Sequence, residues 1–243
     1  MEQQVAEGLI YFVVFLLSTT LHEASHAWTA HRLGDSTAYD GGQVSLSPIP
    51  HIRREPLGML IIPLLSAIAT GWPIGYAWAP YDARWAVTYP RRAAVMSLAG
   101  PAANLALVVV AWVGIRAGTI AGSFVPPASV KFGHIVNATN DGYGSAIAFL
   151  LGAIFFMNLV LCVFNLIPLP PLDGSGVVPL LLDGPTGSRY LAFLHRSPAL
   201  RLLGIFVAWR VIGIILNPVF IAALGSSRKP RFGYGGHACA SSC

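Results

Sequence analysis

The chain has 243 residues, of which 55% are hydrophobic and only 10% are charged. A water-soluble domain of this length needs more polar surface, so the composition excludes a soluble globular protein and predicts a multi-pass membrane protein. The net charge of +5 comes from 15 Lys and Arg scattered between apolar segments. A nucleic-acid site would concentrate them in a patch with interleaved aromatics, so we expect no nucleic-acid partner.

Five apolar segments are long enough to enter a bilayer. They cover residues 8–30, 57–79, 93–120, 146–169 and 199–224. The predicted fold class is therefore an all-α polytopic membrane protein with four to six membrane segments. We expect one domain over residues 1–225 and a flexible tail over 226–243, where Cys239 and Cys243 lie.

The first segment ends in the pentapeptide His-Glu-Ala-Ser-His, residues 22–26. Residues four apart on a helix are offset by about 40°, so His22 and His26 can reach one metal ion while Glu23 leans towards a ligand of that ion. This is the spacing found in zinc hydrolases. Ionisable groups inside a bilayer cost about 2.5–3.5 kcal/mol each, which indicates a function for them.

We expect no cleavable signal peptide. The first seven residues contain Glu2 and Glu7 but no Lys or Arg, and the apolar run continues into the metal motif without a small-residue cleavage site. The first helix is therefore expected to remain in the protein.

A polar connection over residues 34–50 follows the first segment. Residues 43–47 alternate polar and apolar side chains after Gly41 and Gly42, which predicts a short β-ribbon. His51 precedes Arg53 and Arg54 and is expected at the surface, the alternative being an accessory residue of the site. The next segment, 57–79, contains Gly and Pro between residues 71 and 75, and this break predicts a re-entrant turn instead of a crossing.

Two histidines leave zinc short of a protein ligand, and Asp173 is the best candidate for the third. It follows the prolines of Asn165-Leu-Ile-Pro-Leu-Pro-Pro-Leu-Asp173-Gly, which end the fourth apolar segment. The alternative is an ordinary Asp-Gly turn at the membrane surface. If Asp173 does meet His22 and His26, the first and fourth segments must run in the same direction.

Three motifs in this order resemble the site-2 protease family of intramembrane zinc metalloproteases. They are the His-Glu-Ala-Ser-His motif, Ala99-Gly-Pro-Ala-Ala-Asn104-Leu, and the stretch from Phe164 to Gly174. The resemblance covers most of residues 8–183. The connection also resembles that of compact bacterial members. It departs from them at three positions, and these departures concern substrate contacts: Gln43, Ser47 and Arg53.

The resemblance implies that His22, His26 and Asp173 bind one Zn²⁺ per chain and that Glu23 is the catalytic acid/base. It also implies that Asn104 and Asn165 lie near the site, with either a structural role or a hydrogen bond to the reaction's oxyanion. The implied activity is hydrolysis of peptide bonds within or next to transmembrane segments of substrate proteins, that is, regulated intramembrane proteolysis. The implied partners are a transmembrane protein substrate and the lipid bilayer.

A substrate helix must unwind before its peptide bonds can reach the zinc. The edge of the predicted ribbon at residues 44–46 is a candidate to hold the unwound strand by β-augmentation. Asn158 lies seven residues before Asn165, on nearly the same helical face, and is a candidate to line a polar route for water.

The charges predict an active site near the cytoplasmic side of a bacterial inner membrane. An outside N-terminus places most arginines in the cytoplasm and Lys131 outside, but a single last span would put Arg228, Lys229 and Arg231 outside as well. A re-entrant last segment, or a membrane crossing by residues 57–79, would change the number of crossings and therefore the side on which these last cations lie. The cytoplasmic arginines would be Arg32, Arg53, Arg54, Arg84, Arg91, Arg92, Arg189 and Arg196.

Three other functions are considered. A non-catalytic binding module would keep the fold but has no need for Glu23 together with all three candidate ligands. A metal or proton transporter would carry acidic or histidine residues on several spans, whereas the later spans carry mainly Asn and Arg210. A soluble metalloprotease with a membrane anchor would need a soluble domain, for which the sequence leaves no room. The sequence indicates no oligomeric state.

Overall fold

The structure is a computed structural model that describes residues 2–127, 133–140, 142–196 and 198–224. The helices in chain order are α1 Glu2–Leu33, α2 Thr37–Asp40, α3 Pro48–Arg54, α4 Ile62–Thr70, α5 Ala83–Thr88, α6 Pro90–Ile120, α7 Tyr143–Asn165, α8 Asp173–Val177, α9 Gly184–Arg196 and α10 Pro198–Leu224. A π-helical turn, Leu57–Ile61, leads into α4, and a 3-10 turn, Val178–Leu181, follows α8. Lys131 and the predicted tail with its cysteines and cations lie outside the described residues.

Helices α1, α6 and α7 form the centre of the molecule and pack on one another. Tyr11 and Phe15 of α1 are buried against Met157 of α7. On the other side of α7, Phe155 and Phe156 are 1% exposed and pack against α6 and the short strands beyond it. The large aromatic rings thus fill the space between the three helices.

Within the described part of the chain, α1, α6 and α7 are long and apolar enough to cross a membrane. Their outer faces keep large apolar side chains exposed, such as Val13, Leu17 and Val110, as lipid contact requires. Helix α10 has 27 residues and occupies the predicted segment 199–224. The larger count of four to six membrane segments stays a prediction.

The predicted β-ribbon at 34–50 is wrong. The connection forms α2 and α3, and the turn between them is closed by the Gln43 amide, which donates to the Ala38 carbonyl. Ser47 then caps α3 by accepting from the Ile49 amide. The polar–apolar alternation does not match burial, since Gln43 is 3% exposed and Leu46 is 71% exposed.

The physical reason for this error is that a strand needs a partner strand to pair its backbone groups. The part of the chain that the structure describes provides residues 43–47 with no such partner. In the described residues, strand pairing occurs instead between β1, Phe124–Val125, and β2, Asn137–Ala138, which are antiparallel. This pair lies between α6 and α7.

The segment 57–79 turns back on itself. Its helical part, residues 57–70, spans about 21 Å at 1.5 Å per residue, which is shorter than a bilayer core of about 30 Å. The helix ends at Gly71, whose φ of 78° is left-handed, and the Tyr76 amide then donates to the Gly58 carbonyl at 3.0 Å. Residues 58 and 76 therefore lie side by side, which is the geometry of a re-entrant turn. Its placement in a membrane stays a prediction.

The close approach of α4 to α1 depends on Gly8. A Cβ atom at this position would collide with the backbone carbonyl of Ala67 in α4. We therefore expect Gly8→Val to push α4 away and to lower the free energy of unfolding by about 1–3 kcal/mol, the usual cost of overpacking. Thermal unfolding of the purified protein in detergent measures this change.

The matched control is Leu9→Val, because Leu9 is 40% exposed and its outward side chain can shorten without a clash. Equal melting temperatures for Gly8→Val and Leu9→Val would show that α4 is not held against α1 in this way.

Candidate metal centre

Three potential metal-ligand atoms lie close together beside the C-terminal half of α1. Two come from α1 itself and the third comes from the start of α8. The Nε2 atoms of His22 and His26 are 3.0 Å apart. The Oδ2 atom of Asp173 lies 3.0 Å from Nε2 of His22 and 3.3 Å from Nε2 of His26. Within the described residues, these three form the group of His, Cys, Asp or Glu side chains that could hold a metal ion.

The other ring nitrogens of both histidines are engaged by α6. Nδ1 of His22 lies 2.6 Å from Oδ1 of Asn104, and Nδ1 of His26 lies 2.7 Å from the backbone carbonyl of Met96. Carbonyl oxygens only accept, so each Nδ1 carries the proton and donates it. The other nitrogen of each ring, Nε2, faces the carboxylate of Asp173 and carries the lone pair of the neutral tautomer.

This arrangement fits a zinc ion. A proton on one Nε2 could satisfy one pair of the three converging atoms, whereas one cation at their centre satisfies all of them. Zn²⁺ binds nitrogen and oxygen at about 2.0–2.1 Å in tetrahedral geometry, so its ligands stand about 3.3 Å from one another. The observed separations of 3.0–3.3 Å match that requirement.

The turn after α7 carries Asp173 to the histidines. Helix α7 ends at Asn165, and the prolines that follow cannot continue it. The Leu172 amide donates to the Leu169 carbonyl, and α8 then begins at Asp173. The turn and the ligand are thus not exclusive alternatives, because the turn itself delivers the carboxylate to the histidine pair.

The carboxyl group of Asp173 is held in its ionised form. Burial by itself would raise its pKa, but His26 and His22, when their rings are protonated, hold the pKa well below its ordinary value through their positive charge and their hydrogen bonds. Helix α9 supports α8, the helix that begins at Asp173, since the Tyr190 hydroxyl donates to the Ser175 carbonyl at 3.0 Å. Burial raises the pKa of the Tyr190 hydroxyl, which keeps it a donor at neutral pH.

Gly100 of α6 lies directly against the two imidazoles. A Cβ atom here would collide with Nε2 of both His22 and His26. The glycine lets the backbone of α6 close one side of the centre. Sequence reasoning placed Gly100 in a motif but missed this contact, because the motif shows the residue and not what faces it.

Glu23 points into the protein beside the three ligands. It is 5% exposed, and its Oε2 atom has no hydrogen-bond partner among the described residues. A buried carboxylate oxygen without a partner is uncommon in stable folds and indicates a reactive position. Glu23 thus stands next to the centre without being one of its three ligands.

His51 was predicted at the surface, and this is wrong. It is 2% exposed, its Nε2 lies 3.0 Å from the Ser45 carbonyl, and it is close enough to interact electrostatically with Glu23. The reason is that α3 folds back onto α1 and turns His51 inwards. The sequence signal for a surface position came from the adjacent arginines, which do point outwards.

The structure places the two predicted asparagines differently. Asn104 is fully buried, with Oδ1 on His22 and Nδ2 donating to Asn158 at 2.8 Å. Both ends of its amide are therefore engaged, which favours the structural role over contact with substrate. Asn165 is partly buried, and its Nδ2 donates to the Leu161 carbonyl of its own helix. Asn158 is fully buried, so it does not line an open route for water.

A groove of about 270 Å³ runs along the neighbouring face of α1. Its floor is a helical stripe of α1, and its rim is the loop that was predicted as a ribbon. The lining residues are Leu21, Ala24, Ser25, Trp28, Val44, Ser45 and Leu46. Leu21, Ala24 and Trp28 share one face of α1, whereas His22, Glu23 and His26 lie on a different face of the same helix.

Comparison with known proteins gives several relatives. YwhC of Bacillus subtilis is 34% identical over 182 residues, which cover 74% of this chain and 71% of YwhC. Rip2 of Mycolicibacterium smegmatis is 34% identical over 189 residues, covering 76% of this chain and 62% of Rip2. Rip2 of Mycobacterium tuberculosis H37Rv is 32% identical over 217 residues, covering 88% of this chain and 73% of Rip2. All three bear the name of zinc metalloproteases.

No protein-family model matches the chain, and no solved structure matches it. The extent and identity of the matched relatives nevertheless define the class. The chain belongs to the site-2 protease family of zinc metalloproteases, and the resemblance seen in its motifs is confirmed. Its apolar helices and its relatives together make it a membrane protein.

The contact at Gly100 gives a prediction about metal binding. We expect Gly100→Ala to weaken zinc binding by about 10- to 100-fold, the range seen when groups around metal ligands are disturbed, because the added methyl group displaces both imidazoles. Zinc content and chelator competition of the purified protein measure the effect.

Gly114→Ala is the matched control, since it adds the same methyl group to the same helix. There the Cβ atom would meet only the Leu151 side chain, at 3.2 Å. Equal zinc affinity for Gly100→Ala and wild type would mean that α6 does not close the centre.

Proposed function

We propose that this protein is an intramembrane zinc metalloprotease that hydrolyses peptide bonds within or next to the transmembrane segments of other proteins. The observation that carries the proposal is the meeting of His22, His26 and Asp173 beside an unpartnered Glu23, inside a bundle of apolar helices. The relatives named as zinc metalloproteases support the same reaction.

His22, His26 and Asp173 would hold one Zn²⁺ and leave a fourth position open. Bound there, zinc would supply Lewis acidity, polarising the scissile carbonyl and easing the ionisation of water. The carboxylate of Glu23 takes the proton of the attacking water as the new C–O bond forms. As the C–N bond breaks, Glu23 returns that proton to the departing amine, so it acts first as a base and then as an acid.

The protein groups around the ligands keep this geometry ready. The hydrogen bonds from Nδ1 of His22 and His26 to α6 hold both rings with Nε2 inwards. Asn165 has a second N–H on its amide besides the one donated to Leu161. We propose that this N–H can donate to the oxyanion once a substrate strand has entered.

The substrate is proposed to be a transmembrane helix that unwinds locally before cleavage, because an intact helix hides its carbonyl groups in internal hydrogen bonds. Helix-breaking residues near the cleaved bond should therefore favour cleavage. The arginines near the start of α6 and the end of α1 support a centre close to the cytoplasmic face of a bacterial inner membrane.

The test of the reaction is the Glu23→Gln variant. We expect it to lose proteolysis by at least about 10²- to 10⁴-fold, the usual contribution of a general acid/base, and to keep zinc, because Glu23 is not a ligand. Membrane proteins that accumulate uncut in cells carrying Glu23→Gln identify the substrates, and purified wild-type protein in detergent should cleave them.

His26→Ala is the comparison variant, since it should lose both zinc and cleavage. A Glu23→Gln protein that cleaves like wild type would refute the catalytic assignment. A wild-type protein that binds zinc but cleaves none of the accumulated proteins would favour a non-catalytic binding module or a transporter.

We further propose that the groove beside α1 receives the unwound substrate segment, with the backbone of residues 44–46 pairing to it. The Ser45 carbonyl faces inwards to His51. Pairing would require residues 44–46 to become extended when the substrate enters, with the backbone groups of Val44 and Leu46 turned towards the groove.

For this reason Leu46→Pro, which removes one N–H, should lower kcat/KM by about tenfold, the effect of losing one hydrogen bond. Leu46→Ala, which keeps the N–H, should change kcat/KM little. Cleavage assays with a substrate identified by the Glu23→Gln experiment compare the two. Unchanged cleavage by Leu46→Pro would count against pairing in the groove.

A further inference from the structure

A chain of buried side-chain amides joins all three central helices behind His22. Asn158 of α7 donates to the Ser18 hydroxyl of α1 at 2.9 Å and to the Ile154 carbonyl of its own helix at 2.8 Å. Its Oδ1 accepts from Nδ2 of Asn104 at 2.8 Å. Asn104 and Asn158 are both 0% exposed, so water cannot replace any of these bonds.

These hydrogen bonds all run in one donor-to-acceptor direction, and the contact of Asn158 with the Ile154 carbonyl sets that direction. A backbone carbonyl can only accept, so the side of the Asn158 amide that faces it must be the NH₂ group. The Oδ1 atom of Asn158 is then turned towards α6. Asn104 must therefore present its own NH₂ group to Asn158.

The same constraint passes on to the metal centre. With its NH₂ group on Asn158, Asn104 has only Oδ1 left for His22. The Nδ1 atom of His22 must then carry the proton, and Nε2 is left with its lone pair directed at His26 and Asp173. If the Asn104 amide were reversed, its NH₂ group would face Nδ1, and the proton of His22 would move to the nitrogen that should bind the metal.

We propose that Asn158 is a positioning residue that selects the metal-binding tautomer of His22 through Asn104. This inference rests on the proposed zinc centre, but it concerns a residue that touches neither the ligand atoms nor a substrate. His26 needs no such device, since its Nδ1 meets the backbone carbonyl of Met96 directly. A side-chain amide can rotate by 180° and exchange the positions of its oxygen and NH₂ group. The orientation of the Asn104 amide must therefore be fixed by a neighbouring group, whereas a backbone carbonyl is already fixed by its helix.

The first experiment measures zinc affinity of the purified full-length protein by chelator competition. Asn158→Ala should bind zinc about tenfold more weakly than wild type, at the low end of the range for groups that orient ligands. The matched control is Met157→Ala, which removes a neighbouring buried side chain of α7. It should lower the melting temperature while leaving zinc affinity unchanged.

The second experiment tests whether Asn158 acts through Asn104. In Asn104→Asp both side-chain oxygens accept, so His22 is oriented whichever way the group turns. Adding Asn158→Ala to Asn104→Asp should therefore cost no further zinc affinity, although it creates the same space in the core. A general packing role for Asn158 predicts instead the same tenfold loss in both backgrounds.

The outcomes separate the two proposals. Tight zinc binding by wild type with an unchanged Asn158→Ala would overturn the positioning role and leave the metalloprotease intact. Absence of zinc from the wild-type protein would overturn the metal centre itself, and the positioning role with it. If Asn158→Ala does not fold, Asn158→Leu decides, because it fills a similar space without an acceptor for Asn104: a tenfold loss of zinc affinity supports the proposal, and zinc affinity like that of wild type overturns it.

Discussion

The structure depends on three acceptor atoms held within contact distance of one another in a buried place. Two imidazole nitrogens and a carboxylate oxygen, each with a lone pair directed at the others, repel unless a cation lies among them. Every element around His22, His26 and Asp173 serves to hold them there. Helix α1 supplies the pair, the proline-rich turn supplies the carboxylate, and α6 closes the back.

Helix α6 does this with three residues spaced by four, Met96, Gly100 and Asn104, which therefore share one helical face. The outer two provide carbonyl oxygens to the histidine Nδ1 atoms. The middle one has no side chain, so the helix backbone can approach the imidazoles. One face of α6 thus both orients the two histidines and lies directly against them. Any larger side chain at position 100 would push α6 away and break the hydrogen bonds to both histidines.

The membrane setting explains why the buried asparagines between the central helices are hydrogen-bonded at both ends of their amides. In an apolar bundle an unsatisfied amide or hydroxyl costs several kcal/mol, since no water is at hand to pair with it. The asparagines accordingly form a continuous hydrogen-bonded chain from α1 through α7 to α6. Glu23 differs from these asparagines, because its buried Oε2 atom has no hydrogen-bond partner among the described residues. Its lack of a partner suits a group that must exchange protons during a reaction.

The sequence by itself determined the membrane character, the pairing of His22 with His26 and the break before Asp173, because composition, helical periodicity and proline act over a few residues. Its motifs also indicated the family. Only the tertiary structure decided that residues 43–47 pair with no strand among the described residues, that His51 is buried, and that Asn104 faces His22. Each of these depends on contacts between segments far apart in the chain. A local sequence pattern does not show which distant segment will pack against it.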